Sequence, residues 1–162
     1  MTKILKMETT VNKQSSGWFS DKTKRTIVDI IAYLYVLLFL YAATSKLIGY
    51  DKSLLQMSKS PIITDYAHIL VWIVPTLEII ISILLLINRT VLLGLFAALG
   101  LMCLFTAYII AILNFTDIIP CSCGGVLEKM NWDQHLIFNL AFLALAIAGI
   151  LLTNIIKEKK AL

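Results

Sequence analysis

The stretch AHILVWIVPTLEIIISILLLINRTVLLGLFAALGLMCLFTAYIIAIL, residues 67–113, decides the fold. It holds two long apolar runs, Ala67 to Ile87 and Val91 to Leu113, parted only by Asn88-Arg89-Thr90. A bilayer hydrocarbon core of about 30 Å takes roughly 20 apolar residues of α-helix to cross. Each run meets that length. Inside lipid every backbone amide needs a partner within its own segment, so both runs must be helices. So short a link makes the two helices a tight antiparallel hairpin.

Two further runs flank this hairpin, Ile27 to Ile48 before it and Leu136 to Ile156 after it. The first is longer than the signal-peptide core of about 7–15 residues and has no convincing small-residue cleavage site, so an uncleaved helix is expected. The expected fold is therefore all-α: an up-down bundle of four transmembrane helices. Residues 1–25 read as a basic tail, 26–156 as the membrane domain and 157–162 as a second basic tail. The link from Gly49 to Tyr66 sets Leu54, Leu55 and Met57 among Lys and Ser, a pattern that suits a short interfacial helix. The link from Asn114 to His135 contains Pro120, Gly124 and Gly125 and reads as a structured turn region.

Composition agrees with a membrane protein. The chain of 162 residues is 59% hydrophobic and 15% charged, against about 45–50% and about 25% in an ordinary soluble domain. The apolar runs leave no length for a separate soluble catalytic domain. A net charge of +4 does not point to nucleic acid. Lys and Arg sit in the tails and at the ends of the runs, without a basic helix face or an aromatic stacking platform. That distribution instead sets orientation, because cytoplasmic segments carry the excess of Lys and Arg. One side holds Lys3, Lys6, Lys13, Lys22, Lys24, Arg25, Arg89, Lys157, Lys159 and Lys160. The other holds Lys52, Lys59 and Lys129, with Lys46 at its border. Both termini are thus expected in the cytoplasm, with the Asn114–His135 link on the extracytoplasmic side.

That link carries the chain's most distinctive chemistry, Pro120-Cys121-Ser122-Cys123-Gly124-Gly125. Residues i and i+2 of an extended segment point to one side, roughly 6.6 Å apart. A disulfide takes Cα atoms about 4.4–6.8 Å apart, so closure is near its limit and strain makes the bond reducible. Exposed, strained disulfides are the labile or catalytic ones. As a staple the pair would close a minimal loop and fix almost nothing. Two adjacent thiolates also suit a soft ion such as Cu(I), while zinc lacks a completing ligand set. Redox exchange ranks first, copper well behind and the staple last. Asn131 or Asp133 is expected to cap the fourth helix, whose positive end, with Lys129, favours a thiolate, whereas Glu128 opposes it. The third cysteine, Cys103, lies within the third run and reads as buried, inert packing.

Several polar residues fall in or near the membrane. Glu78 lies roughly 17 Å along the second helix at 1.5 Å per residue. An ionisable group at that depth is a functional candidate by default, with a carboxyl that only locks helices together carrying equal weight. Lys46 is its nearest partner by sequence, although it lies closer to the outer edge and is equally placed to snorkel to the interface. His135 is placed to shuttle a proton, with a solvated or capping histidine the commoner case. His68 reads as interfacial, and Asn139 as bonding across to a neighbouring helix. Pro75 is expected to kink the second helix.

Ser45-Lys46-Leu47, Ser60-Pro61, Pro75-Thr76-Leu77-Glu78, the Cys-Ser-Cys-Gly-Gly element and Trp132-Asp133-Gln134-His135 together resemble the MauE/DoxX-like redox-associated membrane proteins. The resemblance covers residues 26–156. It implies a four-helix membrane bundle and an association with methylamine utilisation. There the family's role would be to help the small subunit of periplasmic methylamine dehydrogenase acquire its disulfides, alongside a thioredoxin-like partner. The bundle is also similar to that of vitamin K epoxide reductase-type enzymes, which pass electrons from thiols to a quinone. Those enzymes use Cys-x-x-Cys, whereas this chain has Cys-x-Cys and no second pair.

The expected function is a membrane thiol-disulfide redox protein. Cys121 and Cys123 form its reactive pair and His135 assists proton transfer. Glu78 and Lys46 either line a quinone pocket or form a structural pair. The expected partners are the lipid bilayer and a periplasmic thioredoxin-like protein or exported thiol protein. A non-enzymatic assembly factor is the alternative, with copper binding or transport lower still.

Overall fold

The computed structural model describes residues 20–58, 64–115 and 132–161. Within these lie α1 (Asp21–Ile48), α2 (Tyr50–Ser58), a 3-10 turn (Thr64–Tyr66), α3 (Ala67–Leu86), α4 (Val91–Phe115) and α5 (Trp132–Ala161). Four of them, α1, α3, α4 and α5, are long and apolar enough to cross a membrane. The fold is the all-α, four-helix membrane bundle that the hydropathy pattern implies. Cys121, Cys123, Ser60, Pro61, Lys129 and Asn131 lie outside the described residues.

Helix boundaries run past the apolar runs at several ends. α1 starts at Asp21 rather than Ile27, and α5 continues from Ile156 to Ala161. Hydropathy marks where the hydrocarbon lies, and charged residues extend a helix beyond it at no desolvation cost. Asp21 sits in the first turn of α1 and Lys46 in its last, each at the end that its charge favours. The short helix expected between the first two spans is α2. Its Tyr50 ring meets Trp72 of α3 at 5.5 Å between centroids.

Around the bundle the helices follow the order α1, α3, α4, α5, with α1 closing onto α5. The pairs α1–α4 and α3–α5 are diagonal. One end carries the α3–α4 hairpin, where Thr90 donates its hydroxyl to Leu84 O at 2.9 Å and its amide to Ile87 O at 2.9 Å. The opposite end carries α2, the end of α4 and the start of α5.

The half nearer the hairpin is filled by apolar side chains from all four spans. They include Ile31, Tyr35 and Phe39 of α1, Ile81 and Leu85 of α3, Leu95, Ala98 and Met102 of α4, and Ala146 and Ile150 of α5. Lipid tails are as apolar as leucine, so close packing rather than water exclusion must hold such helices together. Gly94 shows how tightly α3 and α4 meet, because a Cβ there would stand 3.0 Å from both the side chain and the backbone nitrogen of Leu85. At Gly149 of α5 the same atom would lie 3.2 Å from Leu95.

Cys103 is exposed on α4, which corrects its reading as a buried packing residue. In a membrane helix the core-facing and lipid-facing sides are both apolar, so hydropathy around Cys103 carries no information about which way it faces. Pro75 is accommodated inside α3 without ending the helix, and it is buried.

Candidate functional site

The half of the bundle nearer α2 has a different interior. Lys46 of α1, Ser53 of α2, Glu78 of α3, Thr106 of α4, and His135 and Asn139 of α5 are all buried. At its centre the Lys46 ammonium donates to Glu78 Oε1 at 2.6 Å. Glu78 is 0% exposed, so this ion pair is closed off from solvent and lipid alike. Lys46 therefore does not snorkel.

Helix direction explains how residues at different depths along their helices meet. In an α-helix each Cα–Cβ bond tilts toward the N-terminus. α1 starts at the hairpin end, so Lys46 near its C-terminus leans down into the bundle. α3 starts at the α2 end, so Glu78 leans up. The two side chains close the gap that separates their positions along the sequence pattern. Ser53 and Gly49 occupy carbonyls that the end of α1 leaves open, through Ser53 Oγ to Lys46 O at 3.4 Å and Gly49 N to Ser45 O at 3.0 Å.

The lysine also addresses the two remaining spans. Its Nζ lies 5.7 Å from the Phe105 ring centroid on α4, within the range of a cation–π contact. It lies near enough to His135 of α5 for their charges to interact. His135 is buried, against the expectation of a solvated or capping residue. Its position one turn into α5 places it between the other spans rather than beyond them. Asn139 follows four residues later on the same face.

Hydrogen bonding sets Glu78 and Asn139 apart from the buried hydroxyls of the bundle. The buried hydroxyls bond back to the carbonyl four residues earlier: Ser82 to Glu78 O at 2.8 Å, Thr106 to Met102 O at 2.8 Å and Thr153 to Gly149 O at 2.7 Å. Asn114 does likewise, its Nδ2 donating to Ile110 O at 2.8 Å. Glu78 Oε2 and Asn139 Nδ2 are buried and have no hydrogen-bond partner among the described residues. The bond from Asn139 to a neighbouring helix, expected from sequence, is not made by its Nδ2. In a low-dielectric interior each such orphan costs about 1–3 kcal/mol.

The structure thus brings together three of the sequence candidates, Lys46, Glu78 and His135, and leaves Cys121 and Cys123 outside the described residues. Sequence reasoning missed Phe105 and Ser53 altogether. A Phe in an apolar run and a Ser in a polar link carry no signal. The link between His135 and Asn139 was available from their spacing.

Among protein families, the model for methylamine utilisation protein MauE matches residues 24–152. This chain belongs to the MauE family. The match spans most of α1, all of α2, α3 and α4, and most of α5, so it includes the whole buried cluster. No curated protein and no solved structure matches the chain. The chain is accordingly a MauE-like, multi-pass membrane protein.

Proposed function

We propose that this MauE-family protein is a membrane thiol-disulfide protein that supports disulfide formation in exported proteins. Methylamine utilisation, which the family is named for, is the setting this reading favours. Cys121 and Cys123 cycle between dithiol and disulfide. A thiolate attacks a disulfide sulfur, one S–S bond breaks as a mixed disulfide forms, and the displaced sulfur leaves as a thiolate. A second thiol then attacks the mixed disulfide and releases the partner, so that two electrons have changed hands. The partner is a periplasmic thioredoxin-like protein or an exported thiol protein.

The observation that carries this reading is one of topology. The Cys-Ser-Cys element lies in the connection between α4 and α5, whose flanking helix ends are at the α2 end of the bundle. Lys46, Glu78 and His135 are buried in that same half. His135 holds or returns the proton that a thiol sheds. Basic residues at the hairpin end, namely Lys22, Arg25, Arg89 and Lys157, support a bacterial inner-membrane protein with cytoplasmic termini and a periplasmic Cys-Ser-Cys element.

A quinone is the cofactor this reading favours, at Lys46 and Glu78. The orphaned Glu78 Oε2 fits the hydroxyl of its reduced form. When bound, a quinone supplies an acceptor for two electrons and two protons. Lys46 and Glu78 would hold a ring oxygen by hydrogen bonds.

Single-cysteine variants test the redox role. Cys121→Ser or Cys123→Ser should trap a partner as a mixed disulfide on non-reducing gels, and the double variant should trap none. Normal disulfide formation in exported thiol proteins of cells carrying the double variant overturns the reading. An assembly factor without redox chemistry would then remain.

A further inference from the structure

The four apolar runs, 27–48, 67–87, 91–113 and 136–156, contain three Lys, Arg, Asp or Glu residues: Asp29, Lys46 and Glu78. Lys46 and Glu78 are buried and neutralise one another. Asp29, on α1, is exposed on the outside of the bundle. A carboxylate that faces lipid is costly, and Asp lacks the long stem by which Lys or Arg reaches back to water. One turn deeper on the same face, Tyr33 is 65% exposed. The side chains of Asp29 and Tyr33 have no hydrogen-bond or ion-pair partner among the described residues.

Other exposed polar groups solve this problem within their own helix. Thr44 donates its hydroxyl to Leu40 O at 2.7 Å and Thr76 to Trp72 O at 2.8 Å. An ionised carboxylate only accepts, and the amides of a helix interior are already used. The partner of Asp29 must therefore bring a donor from elsewhere. Arg25 stands one turn before Asp29 and is also exposed. The two make no ion pair within the chain, and a base one turn N-terminal to an acid is the poorer order for such a pair. The face thus presents a cation and an anion side by side, both open to a partner. Copies inserted in one orientation are related by a two-fold axis along the membrane normal. Under that axis the face is self-complementary, because Arg25 of each copy meets Asp29 of the other.

We propose that α1 docks against α1 of a second copy of this chain, through the face that carries Arg25, Asp29, Tyr33 and Leu40. Two reciprocal ion pairs close the seam at the hairpin end. Tyr33 and, seven residues on, Leu40 continue it toward the α2 end. The other side of α1, with Val28, Ile31, Tyr35 and Phe39, stays in the bundle core. The dimer therefore leaves the Lys46–Glu78 pair untouched, and the proposal goes beyond the proposed function without resting on it.

The test uses full-length chains labelled at the C-terminus with a donor or an acceptor fluorophore. They are mixed in liposomes of phosphatidylethanolamine and phosphatidylglycerol, where association shows as energy transfer above that of randomly placed chains. The native chain should give such transfer, and excess unlabelled chain should abolish it. Arg25→Asp sets acids against acids and Asp29→Arg bases against bases, so each variant alone should fall to the random level. Donor-labelled Arg25→Asp mixed with acceptor-labelled Asp29→Arg should regain the native transfer. Random-level transfer in the native chain overturns the proposal and leaves lipid or a different protein to cover this face. Native transfer in either variant alone overturns it too, as does a mixed pair that regains nothing while each variant keeps its Tm. Should a reversal lower the Tm, Arg25→Gln and Asp29→Asn each remove both ion pairs without repulsion, and undiminished transfer in both overturns the proposal. The Cys103→Ser/Cys121→Ser/Cys123→Ser chain should associate as the native chain does, which separates this contact from a disulfide and from the redox reading.

Discussion

The two halves of the bundle hold the same four helices together by opposite means. Toward the hairpin the contacts are apolar and spread over many side chains, with Gly94 and Gly149 letting the helices approach. Toward α2 a single ion pair, Lys46 to Glu78, sits at the centre of a polar cluster. Lipid offers no hydrophobic drive for helices to associate. The first half is therefore stabilised by many small terms, none decisive. The second depends on two groups that cannot be parted cheaply. An apolar interior would serve packing equally well near α2, so the buried charges set that half apart from the other.

The largest expected effect comes from breaking the pair on one side. Glu78→Leu leaves the Lys46 ammonium buried without its counter-charge, at a cost of roughly 3–5 kcal/mol. Thermal denaturation in detergent should show most of the native transition lost. Combining it with Lys46→Met removes the stranded charge. Replacement of a buried pair by apolar groups is neutral or stabilising by about 1–4 kcal/mol in other proteins. The double variant should thus recover native stability while losing any activity that depends on the pair. A double variant as unstable as Glu78→Leu alone would show that the α2 half relies on its charges for packing, and the contrast between the halves would fall.

A middle-sized effect probes the apolar half. Gly94→Ala places a methyl 3.0 Å from the Leu85 side chain and backbone, and overpacking of this kind costs about 1–3 kcal/mol. Because the strain falls at the start of α4, the loss should appear in stability while the Lys46–Glu78 pair at the other end stays intact. A Gly94→Ala chain with native Tm would mean that α3 and α4 can slide apart there.

How much of this was legible follows the same divide. The four spans and α2 could be read from sequence because the bilayer imposes a length and a polarity on every crossing segment, as in Ala67–Leu86. Glu78 stood out for the converse reason, as a charge where charges are costly. What could not be read is which side of each helix faces the core. The exposure of Cys103 and the burial of His135 both came out against expectation. Lipid and core are equally apolar, so period-3.6 patterning fades, and only packing decides. The meeting of Lys46 with Glu78 was hidden for a different reason. Depth along a helix axis fixes where Cα lies, while the N-terminal tilt of the side chains, opposite in α1 and α3, fixes where the charges go.

The smallest expected effect lies at the boundary between the halves. The Tyr35 hydroxyl donates to Phe142 O at 2.6 Å, joining α1 to α5, and its ring packs edge-on against Phe142 at 5.2 Å. Tyr35→Phe keeps the ring and removes only the hydrogen bond. Interhelical bonds of this kind average about 0.6 kcal/mol in a membrane bundle, because Phe142 O retains its place in the helix ladder. A Tm change within that range fits an apolar half in which no one contact dominates. A loss as large as that of Glu78→Leu would instead make Tyr35 a second polar anchor, extending the buried cluster past the middle of the bundle and erasing the boundary between the halves.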